Sequence, residues 1–140
     1  MERDGVLANE DEPDVYEGRA LRFHQADART MRLLPGRLEV VAGEDSHSEI
    51  RFIDHPGPGS AVTFGRGEGE PLLHIQLRSP TVSRKHARMA RSGGEWVIAN
   101  LSQTNPIVVN GVTLEGLDKE RPLEDGDLIE MGEVVFRYRR

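Results

Sequence analysis

Residues 86–100 read His86-Ala87-Arg88-Met89-Ala90-Arg91-Ser92-Gly93-Gly94-Glu95-Trp96-Val97-Ile98-Ala99-Asn100. Two β-rich runs, His86–Arg91 and Trp96–Ala99, flank the turn cluster Ser92-Gly93-Gly94. In the second run Trp96 and Ile98 fall on one face, and Glu95, Val97 and Ala99 on the other. Paired glycines between two such runs supply the positive φ that a tight hairpin turn needs. The pattern predicts two strands joined by a tight connection, and it sets the expectation for the rest of the chain.

The same grammar extends both ways. Short runs at Leu38–Ala42, Glu49–Ile53, Ala61–Phe64, Leu73–Leu77, Ile107–Val109, Val112–Leu114, Asp127–Met131 and Val134–Tyr138 alternate with Gly, Pro, Asn and Asp clusters. Val134, Phe136 and Tyr138 share a face. Asn110-Gly111 and Asp125-Gly126 are further positive-φ turn signals. Punctuation about every ten residues predicts an all-β sandwich or barrel. No helix longer than two turns is expected after residue 37, and there is no internal repeat.

Composition narrows the function classes. The chain has 140 residues, one domain's worth, and 36% of them are hydrophobic. It has no cysteine, which excludes a disulfide framework and a cysteine-based zinc site. No stretch approaches a membrane span, and Met1-Glu2-Arg3-Asp4 leads into no apolar run, so a soluble cytoplasmic protein is expected. Residues 1–18 hold seven acids against Arg3 alone, and so carry the whole net charge of −6. The remainder is balanced, which argues against a basic nucleic-acid platform. Within it, residues 71–94 hold Arg78, Arg84, Lys85, Arg88 and Arg91 and no acid. Such a local basic face attracts a small anionic group.

The acidic, polar residues 1–18 read as a disordered tail. The apolar residues between 19 and 35 fit neither period cleanly, and a short helix over Gln25–Met31 is one option. The expected organisation is an acidic, largely disordered extension over 1–35 followed by a β domain over 36–140.

Four motifs occur in order: Gly65-Arg66 after a strand; Ser83-Arg84-Lys85-His86-Ala87 from a loop into a strand; Thr104-Asn105 followed by Val109-Asn110-Gly111; and Leu123-Glu124-Asp125-Gly126-Asp127 followed by Met131-Gly132. Together, in this order and spacing, they resemble the forkhead-associated (FHA) family over about three-quarters of the chain. The resemblance implies an eleven-stranded β-sandwich with ligand loops at one end. It also implies a phosphothreonine-peptide-binding adaptor in Ser/Thr kinase signalling, with no cofactor, no metal and no catalysis. The implied partner is a phosphothreonine-containing protein, a Ser/Thr kinase or its substrate, with no nucleic acid and no membrane insertion.

The residue chemistry fits that implication. Phosphothreonine carries about −1.5 to −2 charges and three acceptor oxygens, so a reader needs cations and hydroxyl or amide donors on a rigid frame. By resemblance Arg66 and Ser83 are the phosphate ligands, assisted by Arg84 and Thr104, and Asn105 holds the peptide main chain. Gly65 and His86 are structural, and Asn110-Gly111 is the hairpin turn behind the site. The sequence departs from the family where Asn-Gly-Thr is usual and Asn105-Pro106-Ile107 stands, and where Asn100 replaces a common aspartate. The first change implies an altered preference C-terminal to the phosphothreonine. A phosphate-independent scaffold or oligomerisation domain is the alternative.

Other chemistries fit poorly. Ser83 and His86 lack a Gly-x-Ser-x-Gly elbow and an orienting acid. Gly65-Arg66-Gly67-Glu68-Gly69 lacks the Lys-Ser/Thr of a P-loop. Asp125-Gly126-Asp127 is too short for a calcium loop. Lys85, Arg88 and Arg91 read as a solvated strand face. Thr30, with Leu33 three residues on, is a candidate internal ligand if phosphorylated.

Overall fold

The computed structural model of the chain describes residues 21–22, 32–43, 46–54, 61–70 and 73–140. Among them there is no helix. The strands are β1 (Leu21–Arg22), β2 (Arg32–Ala42), β3 (Glu49–Asp54), β4 (Ala61–Gly65), β5 (His74–Leu77), β6 (Ala87–Ser92), β7 (Glu95–Asn100), β8 (Ile107–Val109), β9 (Val112–Leu114), β10 (Glu120–Pro122), β11 (Leu128–Met131) and β12 (Val134–Arg139). They form two sheets, ordered β1-β5-β4-β6-β7-β10 and β3-β2-β12-β11-β8-β9. Strands β2 to β12 make the eleven-stranded sandwich, and the two-residue β1 is added at the β5 edge. All pairings are antiparallel except β4 with β5.

The core lies between the sheets, where alternate residues point inward. Phe64, Met89, Trp96 and Ile98 come from one sheet; Leu38, Ile50, Phe52, Ile129 and Phe136 come from the other. Aromatic pairs bridge the layers: Phe52 to Trp96 at 4.5 Å and Phe64 to Phe136 at 6.0 Å between ring centroids. The opening hairpin is as expected, with φ of 61° at Gly93 and 86° at Gly94.

Three features differ from the sequence reading. β10, Glu-Arg-Pro, was not anticipated; it pairs by backbone with the outer edge of β7 and carries no apolar alternation. β2 begins at Arg32, ahead of the run expected over Leu38–Ala42. Its pairing with β3 is interrupted between Leu33 and Arg37, and this bulge lets Pro35-Gly36 turn while Leu34 packs against the core. The helix considered over Gln25–Met31, the tail over 1–18, and Thr30 lie outside the described residues.

Register explains why the motif loops meet. Phe64 is paired with Ala87, and Ala87 with Asn100, so the end of β4, the start of β6 and the end of β7 lie side by side. β5 runs parallel to β4, so its C-terminal end also points there.

Candidate functional site

Three segments converge at that end: residues 66–70 after β4, Arg78–His86 between β5 and β6, and Leu101–Pro106 between β7 and β8. His86 ties them together. Its N–H donates to the Phe64 carbonyl at 2.8 Å, and its own carbonyl accepts the Leu101 N–H at 2.9 Å. Its ring is fully buried, and Nδ1 accepts the Ser83 N–H at 3.1 Å. Nε2 has no hydrogen-bond partner among the described residues. Burial lowers the His86 pKa, and the nearby Asn105 backbone counters part of that effect.

Arg66 is exposed, but one end of its guanidinium is anchored, because Nε donates to the Val82 carbonyl at 3.0 Å. Among the described residues the two terminal nitrogens have no hydrogen-bond partner and Arg66 makes no ion pair. The backbones of the two loops are stitched by Arg66 N–H to the Ser83 carbonyl at 2.9 Å and Gly67 N–H to the Arg84 carbonyl at 3.2 Å. This approach requires glycine at 65, where a Cβ would collide with the Arg84 carbonyl. Arg84 and Lys85 are exposed beside it.

The Ser83 hydroxyl is the centre of a small polar cluster. It shares a hydrogen bond of 2.7 Å with the Ser102 hydroxyl and accepts from Asn105 Nδ2 at 3.3 Å. Asn105 Nδ2 also reaches the Thr104 hydroxyl at 3.4 Å. Arg66, Ser83, Thr104 and Asn105 are thus brought to one end of the sandwich, with Arg84 adjacent in sequence.

Sequence reading missed Ser102. Its hydroxyl is buried and also accepts the Asn105 N–H at 2.9 Å. The sequence carries no signal for it, because any residue at 105 other than proline would offer that backbone N–H. Asn100 is buried beneath this loop. Its Nδ2 donates to the carbonyls of Ser102 at 2.8 Å and Gly116 at 3.0 Å, while Oδ1 accepts the Ser102 and Ile107 N–H groups at 3.3 Å each.

Asn110 (φ 51°) and Gly111 (φ 80°) close the β8–β9 hairpin. Asn110 is braced by Asp127 at 2.8 Å and by the Leu128 N–H at 2.9 Å. Among the cations read as a strand face, Arg88 pairs with Glu120 at 3.8 Å and Arg91 lies 5.6 Å from the Trp96 ring centroid. No group of His, Asp and Glu among the described residues could hold a metal ion. Nor is any described helix long and apolar enough to cross a membrane.

The comparisons with known proteins bear on the fold and the family. Mouse proliferation marker protein Ki-67 is 39% identical over 79 residues, covering 56% of this chain and 2% of that protein. The chain therefore spans only a small part of the curated relatives it matches. The solved FHA domain of an Arabidopsis thaliana hypothetical protein matches with a TM-score of 0.62 at 26% identity, covering 74% of this chain and 83% of that one. A structure from a structural and functional analysis of phosphothreonine-dependent FHA domain interactions shares the fold, with a TM-score of 0.57 at 24% identity over 75% of this chain and 95% of its own. The family model described as FHA domain matches residues 62–132, just over half of the chain. With its two-sheet topology and ordered loop motifs, the chain belongs to the FHA domain family.

Proposed function

We propose that this protein is a phosphothreonine-peptide-binding module that recruits a partner phosphorylated by a Ser/Thr kinase. The observation that carries this is the juxtaposition of the anchored Arg66 fork with the Ser83 hydroxyl on stitched loops, beside Arg84 and without a neighbouring ion pair among the described residues. A phosphate dianion there meets a cation and a hydroxyl on a pre-organised frame. Asn105 adds an amide within 3.3 Å of the Ser83 hydroxyl, suited to the peptide main chain. Family membership supports the reading, because FHA domains are interaction modules rather than enzymes. The cysteine-free chain suits the cytoplasm, where such kinases act.

The test is a titration with a degenerate phosphothreonine peptide pool, alongside unphosphorylated and phosphoserine versions. Binding in the micromolar range to phosphothreonine alone is expected. Arg66→Ala and Ser83→Ala should each weaken it by about tenfold or more while the β fold persists. A folded protein with no phosphate-dependent binding would move the reading to a phosphate-independent scaffold.

A further inference from the structure

The Arg66 loop has little of its own to hold it. Residues 65–69, Gly-Arg-Gly-Glu-Gly, carry no apolar side chain. Glycine backbone also loses more freedom on ordering than any other. A guanidinium is delivered to a fixed point only if that backbone is held.

All four main-chain polar groups of Arg66 and Gly67 have partners. The two N–H groups donate to the Ser83 and Arg84 carbonyls. The two carbonyls are taken from the other side by β5: Gln76 Nε2 donates to the Arg66 carbonyl at 3.0 Å, and His74 Nε2 to the Gly67 carbonyl at 2.8 Å. Nδ1 of His74 and the Thr63 hydroxyl share a bond of 2.7 Å, and that hydroxyl also reaches the Leu73 carbonyl at 3.3 Å. The imidazole is therefore a strut from β4 to the loop. The chain passes hard against it, since a Cβ at Gly69 would lie 2.5 Å from His74 Cγ. The parallel register, Thr63 opposite His74 and Gly65 opposite Gln76, places both side chains on one face under the loop.

We propose that His74 and Gln76 are positioning residues for Arg66: they clamp its loop from the β5 side, so that the guanidinium meets the phosphate in one geometry. This rests on the phosphopeptide-binding reading above. Neither residue belongs to the motifs that carry the family resemblance.

The experiment uses a phosphothreonine peptide chosen from the pool. His74→Ala, His74→Gln and Gln76→Ala are each made in the wild-type and in an Arg66→Lys background. His74→Ala should weaken binding by roughly five- to twentyfold, and the partly exposed Gln76→Ala by less. His74→Gln, which keeps an amide donor, should recover most of the loss. In the Arg66→Lys background, with no fork to position, His74→Ala should cost little more. Equal losses in both backgrounds would overturn the proposal. Hydrogen exchange of the free protein provides a ligand-independent arm. The Arg66 and Gly67 amides should exchange faster in His74→Ala while the β6–β7 amides stay protected, and unchanged exchange would overturn the clamp. If the wild type binds no phosphopeptide, the functional reading fails and the exchange data alone decide on the clamp.

Discussion

Nδ1 of His86 accepts the Ser83 N–H, so protonating that nitrogen would set two donors against each other. The ring is also buried, which disfavours its charged form. Its folded pKa therefore lies below the unfolded value of about 6.5. The unfolded chain binds the proton first as pH falls, so the His86 contribution to stability is complete above that value. It is lost as pH drops toward the folded pKa. Denaturant unfolding followed from about pH 7.5 down to about 5.5 should show this loss. His86→Gln should flatten that part of the profile, and a variant that keeps the full slope would assign it to other groups. Asn100 shows the same dependence on exact donor chemistry. Its Nδ2 serves two carbonyls at once, which an aspartate could not do. Here the departure from the family's usual residue is matched by its surroundings.

At the scale of elements, the hairpins follow from turn residues whose backbone only certain side chains tolerate. The β8–β9 connection needs positive φ at both Asn110 and Gly111. A Cβ at Gly111 would meet no atom within 4 Å, so replacement there strains the backbone without a clash. Gly111→Ala should cost about 1 kcal/mol in a denaturant titration. A neutral result would mean that the turn can relax to another type. β10 obeys a different logic. Glu120, Arg121 and Pro122 bury little, and they form a strand because β7 presents an unpaired edge to them. Proline is tolerated at such an edge because no further strand needs its missing N–H.

Across the whole molecule, Trp96 connects the two sheets. Its ring packs on Phe52, and its Nε1–H donates to the Pro35 carbonyl at 2.8 Å in the β2 bulge. The bulge must sit close: a Cβ at Gly36 would lie 2.9 Å from that nitrogen. Trp96→Phe removes the donor and leaves a cavity, and should cost about 2–4 kcal/mol in unfolding free energy. A loss below about 0.5 kcal/mol would mean that the bulge rearranges to satisfy Pro35 another way.

Much of this architecture was legible in the linear chain. The alternation in Trp96–Ala99 and Val134–Tyr138, the turn pairs Gly93-Gly94 and Asn110-Gly111, and the compact motifs at 65–66, 83–87 and 104–105 are local patterns. Local patterns report which residues face inward and where the chain reverses. Other features depended on neighbours far along the chain. The β10 edge, the start of β2 at Arg32 and the His74–Gln76 clamp rest on polar backbone groups finding partners, and the buried Ser102 hydroxyl on a side chain 19 residues away. A hydrogen bond to a carbonyl leaves no mark on hydrophobic periodicity. Only the parallel register of β4 and β5 brings those side chains beneath Arg66.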